Sequence, residues 1–252
     1  MYERNYKNVA GILFCGDVHG QFDHLIEAVE LYWPRALVLL GDIEPDRPFA
    51  DIVRPLEAAG TEVWFIHGNH DTDQLASWMN LGGFAARNLH GRVVEIAGVR
   101  IAGLGGIFRS EIWDPAQAPQ HDNYAAYCRK QQWSRGRQGA VESILRGRAL
   151  RHLSTIFPDV YERLFDQAAD ILVTHEAPSC HPYGFEAIDE LAQAMGVSRL
   201  FHGHHHDSLD YSAWEARLGF KAFGVGFCGI TDAQGTRLRP GEFDAQRCFR
   251  ER

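Results

Sequence analysis

Five short stretches of this chain place acids, an amide and imidazoles directly after apolar runs: Gly16-Asp17-Val18-His19-Gly20, Gly41-Asp42, Gly68-Asn69-His70-Asp71, His175 and Gly203-His204-His205-His206. In extended chain, residues two apart point the same way, so Asp17 and His19 can reach one ion. Collected, Asp17, His19, Asp42, Asn69, His175, His204 and His206 offer only oxygen and imidazole donors, with His70 beside them. Such a set suits divalent Mn, Fe, Zn or Mg, and the lack of thiolates disfavours a structural zinc site. Seven donors are too many for one ion and suit two that share one carboxylate. Two ions roughly 3.5–4 Å apart can both stabilise in-line displacement at phosphorus. His205 alternates away from its neighbours and does not join the set. His67 and His202, each just before a glycine, read as buried structural residues, and His121 and His181 read as surface residues of loops.

The elements that must position these groups are legible from periodicity. The apolar run 10–15 reads as a buried strand, and the helical spacing of Phe22, Leu25, Ile26, Val29 and Tyr32 reads as a helix ending before Pro34. The same unit repeats: strand 36–40 into Gly41-Asp42, helix 49–59 stopped by Gly60, then strand 62–67 into Gly68-Asn69-His70-Asp71. Three consecutive strand–loop–helix units imply a parallel sheet whose loops share one carboxyl edge, so the polar clusters converge. Segments 91–96 and 99–104 around Ala97-Gly98 read as a hairpin. The alternation resumes with strand 170–174, a helix at about 186–195, strand 198–202, and last strands at 221–225 and 227–231. The tail after Gln234-Gly235 is polar and reads as loosely held.

Between Phe108 and Asp166 the chain reads as helical with weak apolar periodicity, a helical insertion or cap at about 108–168 within a single domain spanning 1–252. From Arg109 to Arg163 it carries nine Lys/Arg against six Asp/Glu, so it is mildly basic inside a chain of formal charge −8. It reads as a solvated helical face, or as a lid whose Arg109, Arg135 and Arg137 meet an anionic substrate. The 252 residues are 45% apolar, the composition of an ordinary globular protein. No run of 18 apolar residues suggests a membrane span, and the charged start lacks a signal-peptide pattern, so the expectation is a cytoplasmic protein. Five scattered cysteines without a Cys-x-x-Cys pair read as free thiols. Net acidity does not suggest a nucleic-acid coat protein.

The ordered set Gly-Asp-x-His-Gly, Gly-Asp, Gly-Asn-His-Asp, a strand-end His and Gly-His-x-His resembles the calcineurin-like metallophosphoesterase superfamily over five motifs from Asp17 to His206. The resemblance implies an α/β fold, a four-layer αββα sandwich of two mixed sheets flanked by helices. It implies that Asp17, His19 and His206 hold one divalent ion, that Asn69, His175 and His204 hold a second, and that Asp42 bridges them. His70 matches the family's catalytic histidine. The reaction implied is in-line attack on a phosphoester by a hydroxide bridging the ions, with His70 stabilising the pentacoordinate state or protonating the leaving alkoxide.

Residues 16–23 are similar to the phosphoprotein phosphatase and dinucleoside tetraphosphatase branch. That branch carries Gly-Asp-x-Val-Asp-Arg-Gly, whereas Gly41-Asp42-Ile43-Glu44-Pro45-Asp46-Arg47-Pro48 has its second Asp one place late. Its arginine before Gly-Asn-His-Glu is here His67. Gly68-Asn69-His70-Asp71 and the short chain are more similar to bacterial phosphodiesterases, with Arg47 and Arg109 as substitute phosphate-binding cations. The expectation is a phosphodiesterase for a phosphorylated small molecule or nucleotide-like substrate, using two divalent ions, Mn²⁺ first among them. The alternatives are a phosphomonoesterase, acting on phosphoprotein or dinucleoside polyphosphate, and a binding scaffold without catalysis.

Overall fold

In a computed structural model, residues 11–135 and 147–247 are described. Two five-stranded mixed sheets face each other. In the first, β1 (Ile12–Cys15), β2 (Ala36–Leu39) and β3 (Glu62–Phe65) run parallel, with β9 (Ile230–Asp232) antiparallel to β1 and β10 (Arg237–Arg239) antiparallel to β9. In the second, the hairpin β4 (Arg92–Ile96) and β5 (Val99–Leu104) leads into parallel β6 (Ile171–Thr174), β7 (Arg199–His202) and β8 (Lys221–Gly224).

Strand alternation builds the layers. On β1 and β2, Ile12, Phe14, Ala36 and Val38 turn inward to meet Ile101, Ile171, Val173 and Phe201 of the facing sheet, and Phe14 stacks on Phe201 with ring centroids 3.9 Å apart. The intervening residues Leu13, Cys15, Leu37 and Leu39 turn outward onto α1 (Asp23–Tyr32) and α2 (Phe49–Ala58). The second sheet does the same with Leu172 and Leu200, covered by the helices Pro158–Phe165 and Glu186–Ala194. Burial on both faces is why these strands read as continuous apolar runs. The result is the four-layer αββα sandwich.

Within 108–168, the helix Tyr124–Arg135 closes a small satellite core of Ile112, Tyr127 and Phe157. The helix Pro158–Phe165 is part of the outer layer of the second sheet, and its Tyr161 hydroxyl donates to the Ala187 carbonyl at 2.7 Å. Arg137 lies outside the described residues, as do Cys248 and the side chain of Arg135.

Two expectations are corrected at the carboxyl end. The strand expected at 227–231 starts only at Ile230, because 226–229 form a turn closed by the Gly229 N–H on the Gly226 carbonyl. Up to residue 247 the tail is not loose: β10 pairs with β9, and Asp244 is buried, accepting from the Gly241 N–H and facing Arg237. Among the described residues, no helix is long and apolar enough to cross a membrane.

Candidate metal centre

The loops leaving β1, β2, β3, β6 and β7 bring the histidines and acids from both sheets to one place. His19, Asp42 and His206 form one group, and Asp42, His175 and His204 a second. Within each group the candidate donor atoms lie within 4.8 Å of one another. Asp42 is common to both. Asn69 joins the second through its Oδ1, 3.1 Å from His175 Nε2. Asp17 lies against both His-bearing loops: its Oδ1 accepts the His204 N–H at 3.0 Å and stands 3.7 Å from His175 Nδ1.

The backbone is strained where the groups meet. Of eight described non-glycine residues with positive φ, five are His19, Asp42, Glu44, His204 and His206. Such conformations cost of order 1–3 kcal/mol each and persist only where the surrounding structure enforces them. Asp71 supplies part of that enforcement: its buried carboxylate accepts from the backbone N–H groups of Ile43, Glu44 and Gly68, each at 2.8 Å, locking the β2 loop to the β3 loop. Gly68 is required there, since a Cβ on it would stand 2.2 Å from Asp42 Oδ1 and 2.5 Å from His175 Cε1.

The donor set fits divalent cations. Asp17 Oδ2 and Asp42 Oδ2 are buried with no hydrogen-bond partner, an expensive arrangement for carboxylate oxygens unless a cation answers them. His175 Nδ1–H donates to the Leu40 carbonyl at 2.7 Å, so its Nε2 faces two acceptors, Asn69 Oδ1 and Asp42 Oδ2, at 3.1 and 3.4 Å. That nitrogen needs either a second proton or a metal ion. Burial alone would lower the His175 pKa, but Asp42 and Asp17 raise it to about 10. Burial raises Asp17 to about 7, with His175 pulling it down and Asp42 pushing it up. Asp42 is held below the usual carboxylate range: burial opposes this, and the adjacent His175 charge overcomes it. In the ion-free chain the proton therefore sits mainly on His175.

A consequence is proton release on metal binding. His175 keeps its extra proton at every pH below about 10, whereas a ligand imidazole must be neutral. Apparent metal affinity is expected to rise with pH up to that point. Calorimetric titration with Mn²⁺ at pH 8 in buffers of different ionisation enthalpy should show at least about one proton released per chain. Binding heats independent of the buffer would contradict this protonation state.

His70 stands beside the groups without belonging to either. Its backbone N–H donates to Asp42 Oδ1 at 2.8 Å, its ring centroid is 5.4 Å from that of His19, and its Nδ1 pairs with Asp73 Oδ2 at 2.7 Å. The side chain is 45% exposed, so Nε2 is the ring nitrogen left for a substrate. Asp73 and Glu44, which pairs with His19 Nδ1, are site residues absent from the sequence expectation. Their signal was spacing alone: an acid three residues after His70 in a 3-10 turn (His70–Thr72) and one two residues after Asp42.

The two arginines diverge. The Arg109 side chain, expected to meet substrate, is only 8% exposed, and its Nη1 donates to the Arg151 and Ser154 carbonyls and to Thr155 Oγ1 at 3.1, 2.9 and 2.6 Å. Ser154 in turn touches Thr72 Oγ1 at 2.6 Å, so Arg109 braces the loop under His70. Arg47 is exposed and lines an open cavity of about 540 Å³ beside Gly20. His67 and His202 are buried as read from the sequence, whereas His181, expected at the surface, is 4% exposed, because its loop folds back to stack the ring on His205 with centroids 3.8 Å apart. His205 joins neither Asp42 group but lies near Glu176 and His204.

A model of the calcineurin-like phosphoesterase family matches residues 10–208, from β1 through the last histidine motif. The chain belongs to this family. As a calcineurin-like phosphoesterase it carries a metallophosphoesterase domain over most of its length, with the His/Asp groups above as candidate metal-binding sites. It is 42% identical over 230 residues to a Haemophilus influenzae protein named as an uncharacterized protein, covering 90% of this chain and 96% of that one. Its fold is similar to the crystal structure of TT1561 of Thermus thermophilus, with a TM-score of 0.55 at 15% identity over 90% of this chain and 96% of that chain. A second solved structure matches with a TM-score of 0.51 at 13% identity, over 92% of this chain and 98% of the other.

Proposed function

We propose that this calcineurin-like phosphoesterase is a dinuclear hydrolase of a phosphodiester or nucleotide-like substrate. Asp17, His19 and His206 serve one divalent ion, Asn69, His175 and His204 the other, Asp42 serves both, and Mn²⁺ is the first ion to test. The observation that carries this reading is the buried Asp42 Oδ2, without a hydrogen bond and standing between two histidine pairs. Divalent ions bound there supply Lewis acidity, lowering the pKa of water towards neutrality and offsetting charge on the phosphoryl oxygens. Asp73 orients the His70 ring by accepting from Nδ1–H, which turns Nε2 to the substrate; in its imidazolium form that nitrogen carries the proton for the departing alkoxide, a contribution of roughly 10²–10⁴-fold. Asp71 and Arg109 act at a distance by fixing the loops that carry Asp42 and His70. The free buried thiols of Cys15, Cys180 and Cys228 support a reducing, cytoplasmic setting.

Diesters are favoured over monoesters because a dianionic phosphate calls for bidentate guanidinium contacts. Arg109 uses its Nη1 inside the fold, so of the two only the exposed Arg47 remains a candidate cation for the substrate. After metal stripping and reconstitution with Mn²⁺, bis-p-nitrophenyl phosphate should be hydrolysed faster than p-nitrophenyl phosphate. A steep preference for the monoester would overturn the diester reading in favour of a phosphatase or nucleotide hydrolase. Absence of turnover on both, with two ions bound, would favour a binding scaffold.

A further inference from the structure

The loop between β6 and the Glu186–Ala194 helix carries Tyr183, whose side chain is 76% exposed. A single exposed tyrosine is ordinary on a protein surface. This one differs in how it is held and in what stands behind it. The loop closes on itself: the His181 N–H donates to the Pro178 carbonyl, the Gly184 N–H to the His181 carbonyl and the Phe185 N–H to the Ala177 carbonyl, at 2.9–3.0 Å. Ser179 is pinned to Asp189 through both its N–H and its hydroxyl. A Cβ at position 184 would lie 1.8 Å from the Pro178 carbonyl oxygen, so the turn that presents Tyr183 requires glycine. The Tyr183 N–H itself donates to His181 Nδ1 at 3.1 Å, which fixes that ring's tautomer with Nε2 towards Asp207, 3.5 Å away.

Behind Tyr183 runs a file of rings that ends at the candidate metal centre. Tyr183 lies 5.8 Å from His181 and 6.1 Å from His205, and His181 and His205 are stacked at 3.8 Å with planes 15° apart. His205 is 4.7 Å from His204, and His204 is 4.9 Å from His175. An exposed aromatic ring therefore stands one ring, His205, away from His204, by centroid steps of 6.1 and 4.7 Å. The turn that carries Tyr183 is pre-organised, so little backbone ordering entropy opposes stacking on it.

We propose that Tyr183, backed by the His181–His205 stack, is a subsite that takes a planar aromatic ring carried by the phosphoester, such as a nucleobase. This rests on the phosphoesterase reading above and narrows its substrate to aromatic, nucleoside-bearing esters. Stacking tolerates any base, since each has a π face, and removal of one such platform typically costs about 5- to 150-fold in binding.

The test compares thymidine 5′-(p-nitrophenyl phosphate) with methyl p-nitrophenyl phosphate on the Mn²⁺-loaded protein, since both release the same phenolate. The expected result is a kcat/KM at least about tenfold higher for the nucleoside ester. Tyr183→Ala should abolish that preference, and Tyr183→Phe should keep it. An unchanged preference in Tyr183→Ala, or none in the wild type, overturns the subsite. If neither ester is hydrolysed, the phosphoesterase reading fails on its own terms, and calorimetry decides the subsite: thymidine 5′-monophosphate should bind at least about tenfold tighter than methyl phosphate to the wild type, and equally to Tyr183→Ala. Equal binding to the wild type overturns it.

Discussion

Asp42→Asn is expected to empty both halves of the candidate centre at once. One oxygen of Asp42 already accepts the His70 N–H, and the other, buried and without a hydrogen-bond partner, faces both histidine pairs. An asparagine can keep the first contact through its carbonyl. It then turns an uncharged NH₂ towards the imidazoles, where a donor has nothing to offer a cation. Removing one partner from a buried charge set costs about 3–5 kcal/mol, roughly 10²–10⁴ in affinity. Metal analysis after dialysis should therefore find both ions lost, and turnover should fall with them. In the metal-free fold the change also removes the carboxylate that faces protonated His175, so the melting temperature should fall along with metal content. A variant that retains two ions and normal turnover would remove Asp42 from the bridging position.

His70→Ala is expected to do the opposite: keep the ions and lose the chemistry. His70 is absent from both Asp42 groups, and its contact with Asp42 is through a backbone N–H that alanine also possesses. Turnover should drop by about 10²–10⁴, the usual contribution of a positioned general acid. Asp73→Asn should fall between this variant and the wild type, since it removes only the partner of Nδ1 and leaves the ring in place. Metal loss in His70→Ala would make His70 a ligand or a support for one.

The regular layers of the fold were legible because each β–α unit repeats the same signal. An apolar run buried on both faces, such as Leu37–Leu39, admits few readings when a polar turn and an amphipathic helix follow. Parallel order then forces Asp17, Asp42 and Asn69 to one edge, so the donor set could be collected before any geometry was known. What could not be read depends on loop paths. Glu44 reaches His19 only because its backbone is held at a φ of 49°, a conformation set by Asp71 from the next loop. His181 is buried because residues 177–185 close on themselves and fold against His205, which no periodicity encodes. Arg109 reads as a surface cation until the 151–155 turn supplies carbonyls for it. The polar tail reads as loose because β10 is a three-residue edge strand whose pairing with β9 carries no apolar signature.

The central claim is that two cations share this site through Asp42 and that both are needed for phosphoester hydrolysis. The most direct measurement is a titration of metal-free protein with Mn²⁺, following bis-p-nitrophenyl phosphate hydrolysis and the electron paramagnetic resonance spectrum on the same samples. Activity should rise with the second equivalent, together with the spectrum of a spin-coupled manganese pair. Activity that saturates at one equivalent with an uncoupled spectrum would contradict the shared carboxylate and the dinuclear centre.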